Sequence, residues 1–314
     1  MKEDAAPLYN ELAGAPEHGR AFWLRAGRRR IRAAVWEGSG RGTVLIFNGR
    51  TEYIEKYGAV VAALVGRGFA VATLDWRGQG LSDRALPNPL KGHVGEFAAY
   101  QRDIDALLAA PAFAALGGPL VLLCHSMGGC IGTRALLEER VAPAATIFSA
   151  PMLGLSMSPP VRLFARLAVS LSDHFGWQSA FAPNPGGSKP YALNQAFDGN
   201  VLTSDEESYL WFRRQLEAEP GFALAGPTLG WLGAALSETE ALAAGPAPET
   251  PALYFLGTDE AVVEPEAIRA QVAKSAEAQL VELPGARHEA FMERPEIQER
   301  LWDEIDRFLR SRRL

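Results

Sequence analysis

The chain has 314 residues, 48% of them hydrophobic, and a formal net charge of −6. That length buries a substantial core, either as one large domain or as a core carrying an insertion. The acidic balance argues against a nucleic-acid binder, no apolar run is long enough to span a bilayer, and two cysteines are too few for a secreted disulfide framework.

The first residues, Met1-Lys2-Glu3-Asp4, are acidic and hold no apolar segment. A cytoplasmic chain without a secretory signal is therefore expected, with transient membrane contact only at its surface. Strands are predicted at 21–25 and 31–36, turning at Gly27. The basic residues Arg28, Arg29, Arg30 and Arg32, like Arg310, Arg312 and Arg313, read as solvated faces. An apolar strand at 43–47 stops at Asn48-Gly49, a helix follows near 55–66, and a second apolar strand spans 69–74. Continuous apolar runs of this kind suit parallel strands covered on both faces. Helical spacing of Phe97, Tyr100, Ile104, Leu107 and Leu108 predicts a helix over 96–110. A third core strand is expected at 120–123, a helix from 126 to about 139, and a fourth core strand at 144–148.

The alternation then stops. Residues 151–248 are rich in Pro, Gly and aromatics and show no strand–helix pattern. It resumes with a strand at 252–256, a helix near 266–274, a strand at 279–283 and a last helix at 295–310. The expected architecture is one α/β core, 1–150 with 249–314, in which a mostly parallel sheet is flanked by helices. A mostly helical insertion, 151–248, interrupts it.

Residues 124–129 read Cys-His-Ser-Met-Gly-Gly, between a buried strand and a helix. That is the context of a nucleophile elbow, in which a serine sits on a sharp turn and small residues stand two positions to either side. Gly128 meets that demand. Cys124 stands where glycine is usual, and it is small enough for the turn. With Cys130 it is expected to be a buried thiol. Ser126 is thus the candidate nucleophile, at the C-terminal edge of the sheet, where ligands bind in open α/β folds.

A serine hydroxyl needs a neighbouring base at neutral pH. Of the five histidines, His18 lies in a polar segment, His125 points away from its neighbour, His93 sits in a loop and reads as structural, and His174 falls in the insertion. His288 follows the last strand and so lies at the edge that carries Ser126. The acid is expected between them in chain order, after a strand. Asp259 and Glu260 both satisfy that, and spacing from the strand does not separate them. The oxyanion donors are expected to be the backbone N–H groups of Met127 and of Arg50, the latter in the loop Asn48-Gly49-Arg50.

With these pieces in place the chain resembles the monoacylglycerol lipase and lysophospholipase L2 branch of the α/β-hydrolases, grouped as serine aminopeptidase S33-like. The resemblance rests on Cys-His-Ser-Met-Gly-Gly, on Asp75-Trp76-Arg77-Gly78-Gln79-Gly80-Leu81-Ser82 as D-x-R-G-x-G-x-S, and on Gly92-His93-Val94 followed by Phe97, Tyr100 and Asp103. It implies that Asn48 replaces the histidine of a His-Gly loop and that Arg50 is the amide donor. Counting from Gly257, it implies Glu260 rather than Asp259 as the acid, a departure from the commoner aspartate. It further implies a serine esterase that acts on a lysophospholipid or monoacylglycerol through an acyl-serine, without metal or organic cofactor.

The insertion is expected to cap Ser126, with Trp177, Phe181, Trp211 and Phe212 as candidate walls of an acyl pocket. Two other readings remain. One is a different acyl-transfer enzyme on the same scaffold, such as a short-chain esterase, an amidase or an acyltransferase. The other is a non-catalytic binding protein of hydrolase shape.

Overall fold

The computed structural model describes residues 3–183 and 187–314, so Met1 and Lys2 of the acidic N-terminus lie outside the described residues. Among them nine strands form one sheet in the order β1-β2-β3-β5-β4-β6-β7-β8-β9. The strands are β1 (Asp4–Ala5), β2 (Arg20–Ala26), β3 (Arg29–Trp36), β4 (Gly42–Phe47), β5 (Phe69–Leu74), β6 (Leu120–His125), β7 (Ala145–Ser149), β8 (Ala252–Gly257) and β9 (Ala278–Leu283). The first three are antiparallel additions at one edge, and β5 through β9 with β4 run parallel. The helices are α1 (Asn10–Ala13), α2 (Gly58–Gly66), α3 (Ala98–Leu108), α4 (Pro111–Ala114), α5 (Met127–Leu137), α6 (Pro159–Phe175), α7 (Tyr191–Asn194), α8 (Glu206–Ala218), α9 (Leu229–Ala244), α10 (Pro265–Val272) and α11 (Pro295–Ser311).

Strand alternation sorts the core onto the two sheet faces. Leu45 and Phe47 pack with Ala72, Leu122, Phe148 and Tyr254 under α3 and α5. Val44 and Ile46 pack with Val71, Leu123, Ile147 and Phe255 under α2 and α11. The five central strands are buried throughout except at Leu120, which is why they read as unbroken apolar runs. On α11, Ile297, Leu301, Ile305 and Phe308 are buried at helical spacing, and charged residues take the outer face. The predicted helix near 55–66 opens as a 3₁₀ turn, Ile54–Tyr57, before α2 begins at Gly58. A Cβ at Gly58 would lie 1.8 Å from the Ala13 carbonyl oxygen, so only glycine lets α2 start against α1. The short elements β1, α1 and α4 carry too few residues to show a period.

Between β7 and β8 the chain forms α6 to α9. This stretch shares its apolar side chains with the core. Tyr209 and Phe212 of α8 join the cluster that contains Phe291, and Trp231 and Ala235 of α9 join the cluster beneath α3. A smaller cluster, Ala165, Ala182, Leu229, Leu232 and Leu236, ties α6 to α9. Bridges Leu155 to Val263 and Gly92 to Pro227 stitch the stretch to loops of the core. Because β4, β6, β8 and β9 are parallel, the loops after them all emerge at one edge of the sheet. The strand order reverses at β4, whose neighbours are β5 and β6, and such a reversal opens a crevice at that edge.

Candidate active site

β6 ends at His125 and α5 begins at Met127, so Ser126 alone turns the chain. Its φ of 49° and ψ of −119° lie in a sparsely populated region that costs about 1–3 kcal/mol. Close packing holds the turn. A Cβ at Gly128 would lie 2.0 Å from the Phe47 carbonyl oxygen, and one at Gly129 2.4 Å from Pro151 Cβ. Cys124 is accommodated because it faces another glycine: a Cβ at Gly132 would meet its Sγ at 2.5 Å. The space that glycine usually provides at position 124 is provided one helical turn into α5. Cys124 and Cys130 are both free and buried.

Ser126 Oγ lies 2.9 Å from His288 Nε2, and His288 Nδ1 lies 2.8 Å from Glu260 Oε2. All three side chains are buried, and the three groups form one line. The other oxygen of Glu260 accepts the backbone N–H groups of Val262 and Val263 at 2.6 and 3.1 Å, which fixes the carboxylate. Asp259 is exposed and, among the described residues, accepts only from Thr258 Oγ1 at 3.1 Å. Burial alone would lower the His288 pKa, but the charge and hydrogen bond of Glu260, with Glu289 and Glu52 beyond it, hold it above the ordinary value. Burial would likewise raise Glu260, and the imidazole and the two amides bring it below the usual carboxylate range.

The loop after β4 is held from several sides. Asn48 Nδ2 donates to the Leu74 carbonyl at 2.7 Å, and Trp76 Nε1 donates to the Asn48 carbonyl at 3.0 Å. Gln79 Nε2 donates to the Gly49 carbonyl at 2.8 Å, and Gln79 Oε1 accepts the Thr51 N–H at 3.3 Å. The Gly49 N–H donates to Glu52 Oε2. These bonds consume the amides on either side of Arg50. The N–H groups of Arg50 and Met127 donate to no acceptor among the described residues. Two free, fixed donors beside a serine hydroxyl are what an incoming oxyanion requires.

The Asp75–Ser82 motif thus acts on this loop. Asp75 accepts the N–H groups of Ile54 at 2.9 Å and Leu81 at 2.7 Å, together with Arg32 Nε at 2.7 Å. Arg32 also reaches Glu55 at 2.6 Å. This corrects the reading of Arg32 as part of a solvated face. It is wholly buried between two carboxylates, which together hold its pKa above the ordinary value against the opposing effect of burial. Arg77 pairs with Asp103 at 2.6 Å. His93 lies 2.9 Å from Thr228 Oγ1, at the start of α9, and ties a core loop to the insertion.

Behind His288 lies a second cluster that the sequence reading missed. Lys56 Nζ donates to Glu52 and to Glu289, each at 2.6 Å, and so links the loop after β4 to the residue that follows His288. His125 Nε2 lies 3.4 Å from Glu289, and burial keeps its pKa below the ordinary value. Burial alone would raise the Glu52 carboxyl, but the Lys56 ammonium beside it outweighs that and holds it below the usual carboxylate range. Glu52, His125 and Glu289 bring possible metal-ligand atoms within 4.8 Å of one another, but the Lys56 ammonium already supplies positive charge there.

A cavity of about 350 Å³ opens over Ser126, large enough for a small organic ligand. Met152, Leu155, Phe212, Leu216, Leu224, Trp231, Val262 and Val263 form its apolar wall. Of the four insertion aromatics expected there, Phe212 lines it. The other three require correction. Trp177 stacks on Phe175 at 4.9 Å beyond the end of α6 and is 58% exposed. Phe181 bridges to Thr228 beneath Lys91. Trp211 precedes Phe212 on α8, about 100° round the helix, and packs at the edge of the core. Trp231 and Leu224 take their place, in a segment without a readable period.

The family profile described as serine aminopeptidase, S33 matches residues 38–295. A probable lysophospholipase L2 of Haemophilus influenzae is 26% identical over 291 residues, covering 90% of each chain. Lysophospholipase L2 of Escherichia coli K12 is 30% identical over 224 residues, 70% of this chain and 64% of that protein. Among solved structures, a soluble variant of monoglyceride lipase from Saccharomyces cerevisiae superposes with a TM-score of 0.70 at 18% identity, covering 93% of this chain and 96% of that one. A monoacylglycerol lipase from Paleococcus ferrophilus gives 0.68 at 22%, covering 90% and 99%. The chain has the α/β-hydrolase fold; it belongs to the serine aminopeptidase S33 family and, with its lysophospholipase relatives, is an esterase-type hydrolase.

Proposed function

We propose that this protein hydrolyses the ester of a single-chain lipid through an acyl-serine. The observation that carries the reading is the buried line from Ser126 Oγ through His288 to Glu260, with separations of 2.9 and 2.8 Å. Ser126 attacks the ester carbonyl as His288 Nε2 takes its proton. Glu260 holds the imidazole in the required tautomer and stabilises its charged form. The N–H groups of Met127 and Arg50 receive the oxyanion. His288 returns the proton to the leaving alcohol, then activates the water that releases the acid. This route draws on no metal or organic cofactor.

The lipid reading is supported by the apolar wall of the cavity and by the names of the relatives, two of them lysophospholipases L2. Residues 151–248 act as a cap in this reading, since α8 and α9 contribute Phe212, Leu216 and Trp231 to the cavity. Contact with a lipid surface falls to α6, whose Leu163, Phe164, Leu167 and Leu171 are exposed. The family description favours a second reading, amide or peptide hydrolysis. A panel of p-nitrophenyl esters of increasing acyl length, set against matched anilides, separates the two. The lipid reading expects kcat/KM to rise with chain length for esters and to be far lower for anilides. Faster anilide hydrolysis, or a preference for acetate, contradicts it.

A further inference from the structure

Arg50 holds a charge that ester hydrolysis at Ser126 leaves unused. Its backbone lies in the loop beside the serine, and its side chain runs along the cavity wall. There Nη2 donates to the Ala225 carbonyl at 2.8 Å, and Cζ sits 5.0 Å from the centre of the Trp231 ring. A Cβ at Gly92 would approach Nη2 to 2.9 Å, so the guanidinium fills a niche that glycine leaves open. Nε has no hydrogen-bond partner.

Arg32 and Arg77 differ. Arg32 meets Glu55 and Asp75, and Arg77 meets Asp103. Among the described residues no carboxylate lies within ion-pair distance of Arg50. Burial therefore acts almost unopposed and lowers its pKa to about 10, which still leaves it charged near neutrality. Shielding part of a guanidinium from water without a counter-ion is unfavourable. A tether to one carbonyl does not require that charge, since a neutral donor would serve. An anion in the cavity would answer it, and guanidinium geometry suits the oxygens of a phosphate.

We propose that Arg50 forms an anion-binding subsite that receives the phosphate of the substrate's headgroup, which makes the preferred substrate a lysophospholipid. This rests on the reading of Ser126 as the nucleophile of lipid ester hydrolysis. In a single-chain lipid ester the acyl chain bears no charge, so the phosphate on the alcohol side is the group an unpaired guanidinium discriminates. A neutral monoacylglycerol leaves the guanidinium unanswered.

The test compares kcat/KM for lysophosphatidylethanolamine and for monoacylglycerol with the same acyl chain, in the wild type and in Arg50→Met, Arg50→Gln and Arg50→Lys. The wild type should favour the phosphate-bearing ester. The ratio should fall about tenfold or more in Met and Gln variants, the range expected for a charge-assisted hydrogen bond, and be partly kept by Lys. An unchanged ratio in Arg50→Met overturns the proposal. So does full retention in Arg50→Gln, which keeps a donor for Ala225 and would show a tether alone.

If the wild type turns over neither ester, the lipid-ester reading fails, and the subsite is then read by binding. Calorimetric titration of Ser126→Ala protein with glycerol 3-phosphate should show binding that glycerol lacks and that Arg50→Met removes. Equal binding with and without Arg50 overturns the proposal. So does Arg50-dependent binding of a fatty-acid anion in place of glycerol 3-phosphate.

Discussion

At the residue scale the acid of the site is decided by one side chain reaching inward and its neighbour reaching out. Glu260 contacts His288 and two backbone amides, and Asp259 is solvated. Glu260→Gln should therefore lower kcat by on the order of 10³–10⁴-fold, the scale seen when a triad carboxylate loses its charge. Asp259→Asn should stay within about twofold, as surface changes do. The pH profile adds a sign. His288 works as a base only when neutral, and Glu260 holds its pKa above the ordinary histidine value. Activity should rise through that raised pKa as pH increases. Without the Glu260 charge, the largest influence opposing burial is lost, so the limb of the residual activity of Glu260→Gln should move to lower pH. Equal losses in the two variants, or a limb that moves upward, would reassign the acid.

Ser126, His288 and the pair Asp259 and Glu260 were legible in the sequence because each follows a strand at one sheet edge, but strand position left the two acids unseparated and only the family resemblance pointed to Glu260. Arg32 was not legible. Its two carboxylate partners come from other segments, and nothing local separates it from Arg28, Arg29 and Arg30. The tolerance of Cys124 depends on Gly132, eight residues away, and appears only when β6 and α5 are packed together. Lys56 was hidden for the same reason, because Glu289 joins it from the far end of the chain.

At the scale of elements, the core strands were readable because burial on both faces leaves an unbroken apolar run. The insertion was less readable, because its helices divide their apolar residues between several surfaces. Phe212 of α8 faces the cavity while Trp211 beside it faces the core edge. On α6 only Ala165 and Ser172 are buried, and Leu163 and Phe164 remain 61% and 59% exposed. An apolar face this open suits the lipid contact proposed for it. It adjoins the cavity, since Arg162 of α6 donates to the carbonyl of Leu155 on the cavity wall. The arginines of that helix are already paired, Arg162 with Glu264 and Arg166 with Glu240, so the contact should be apolar rather than electrostatic. Replacing Phe164, Leu167 and Leu171 by serine should weaken sedimentation with phospholipid vesicles by about tenfold or more, as each such side chain is worth ~1.5–3 kcal/mol when fully buried. Turnover of a short, water-soluble ester should persist. Unchanged vesicle binding, or loss that tracks salt, would contradict the assignment.

At the scale of the whole molecule, the sheet brings together groups far apart in the chain. Its parallel strands deliver the loop of Arg50, the elbow of Ser126, Glu260 and His288 to one edge. The insertion supplies the remaining wall of the cavity. Buried ion pairs then fix those loops relative to one another: Arg32 with Asp75 and Glu55, and Lys56 with Glu52 and Glu289. A site so preorganised should keep its geometry when one reacting atom is removed. The most direct measurement is labelling by a fluorophosphonate probe, followed by mass spectrometry of the labelled peptide, in wild type and Ser126→Ala. One adduct is expected, on Ser126, with no labelling or ester turnover in a Ser126→Ala protein that melts as the wild type does. Turnover retained without Ser126, or an adduct on another residue, would contradict it.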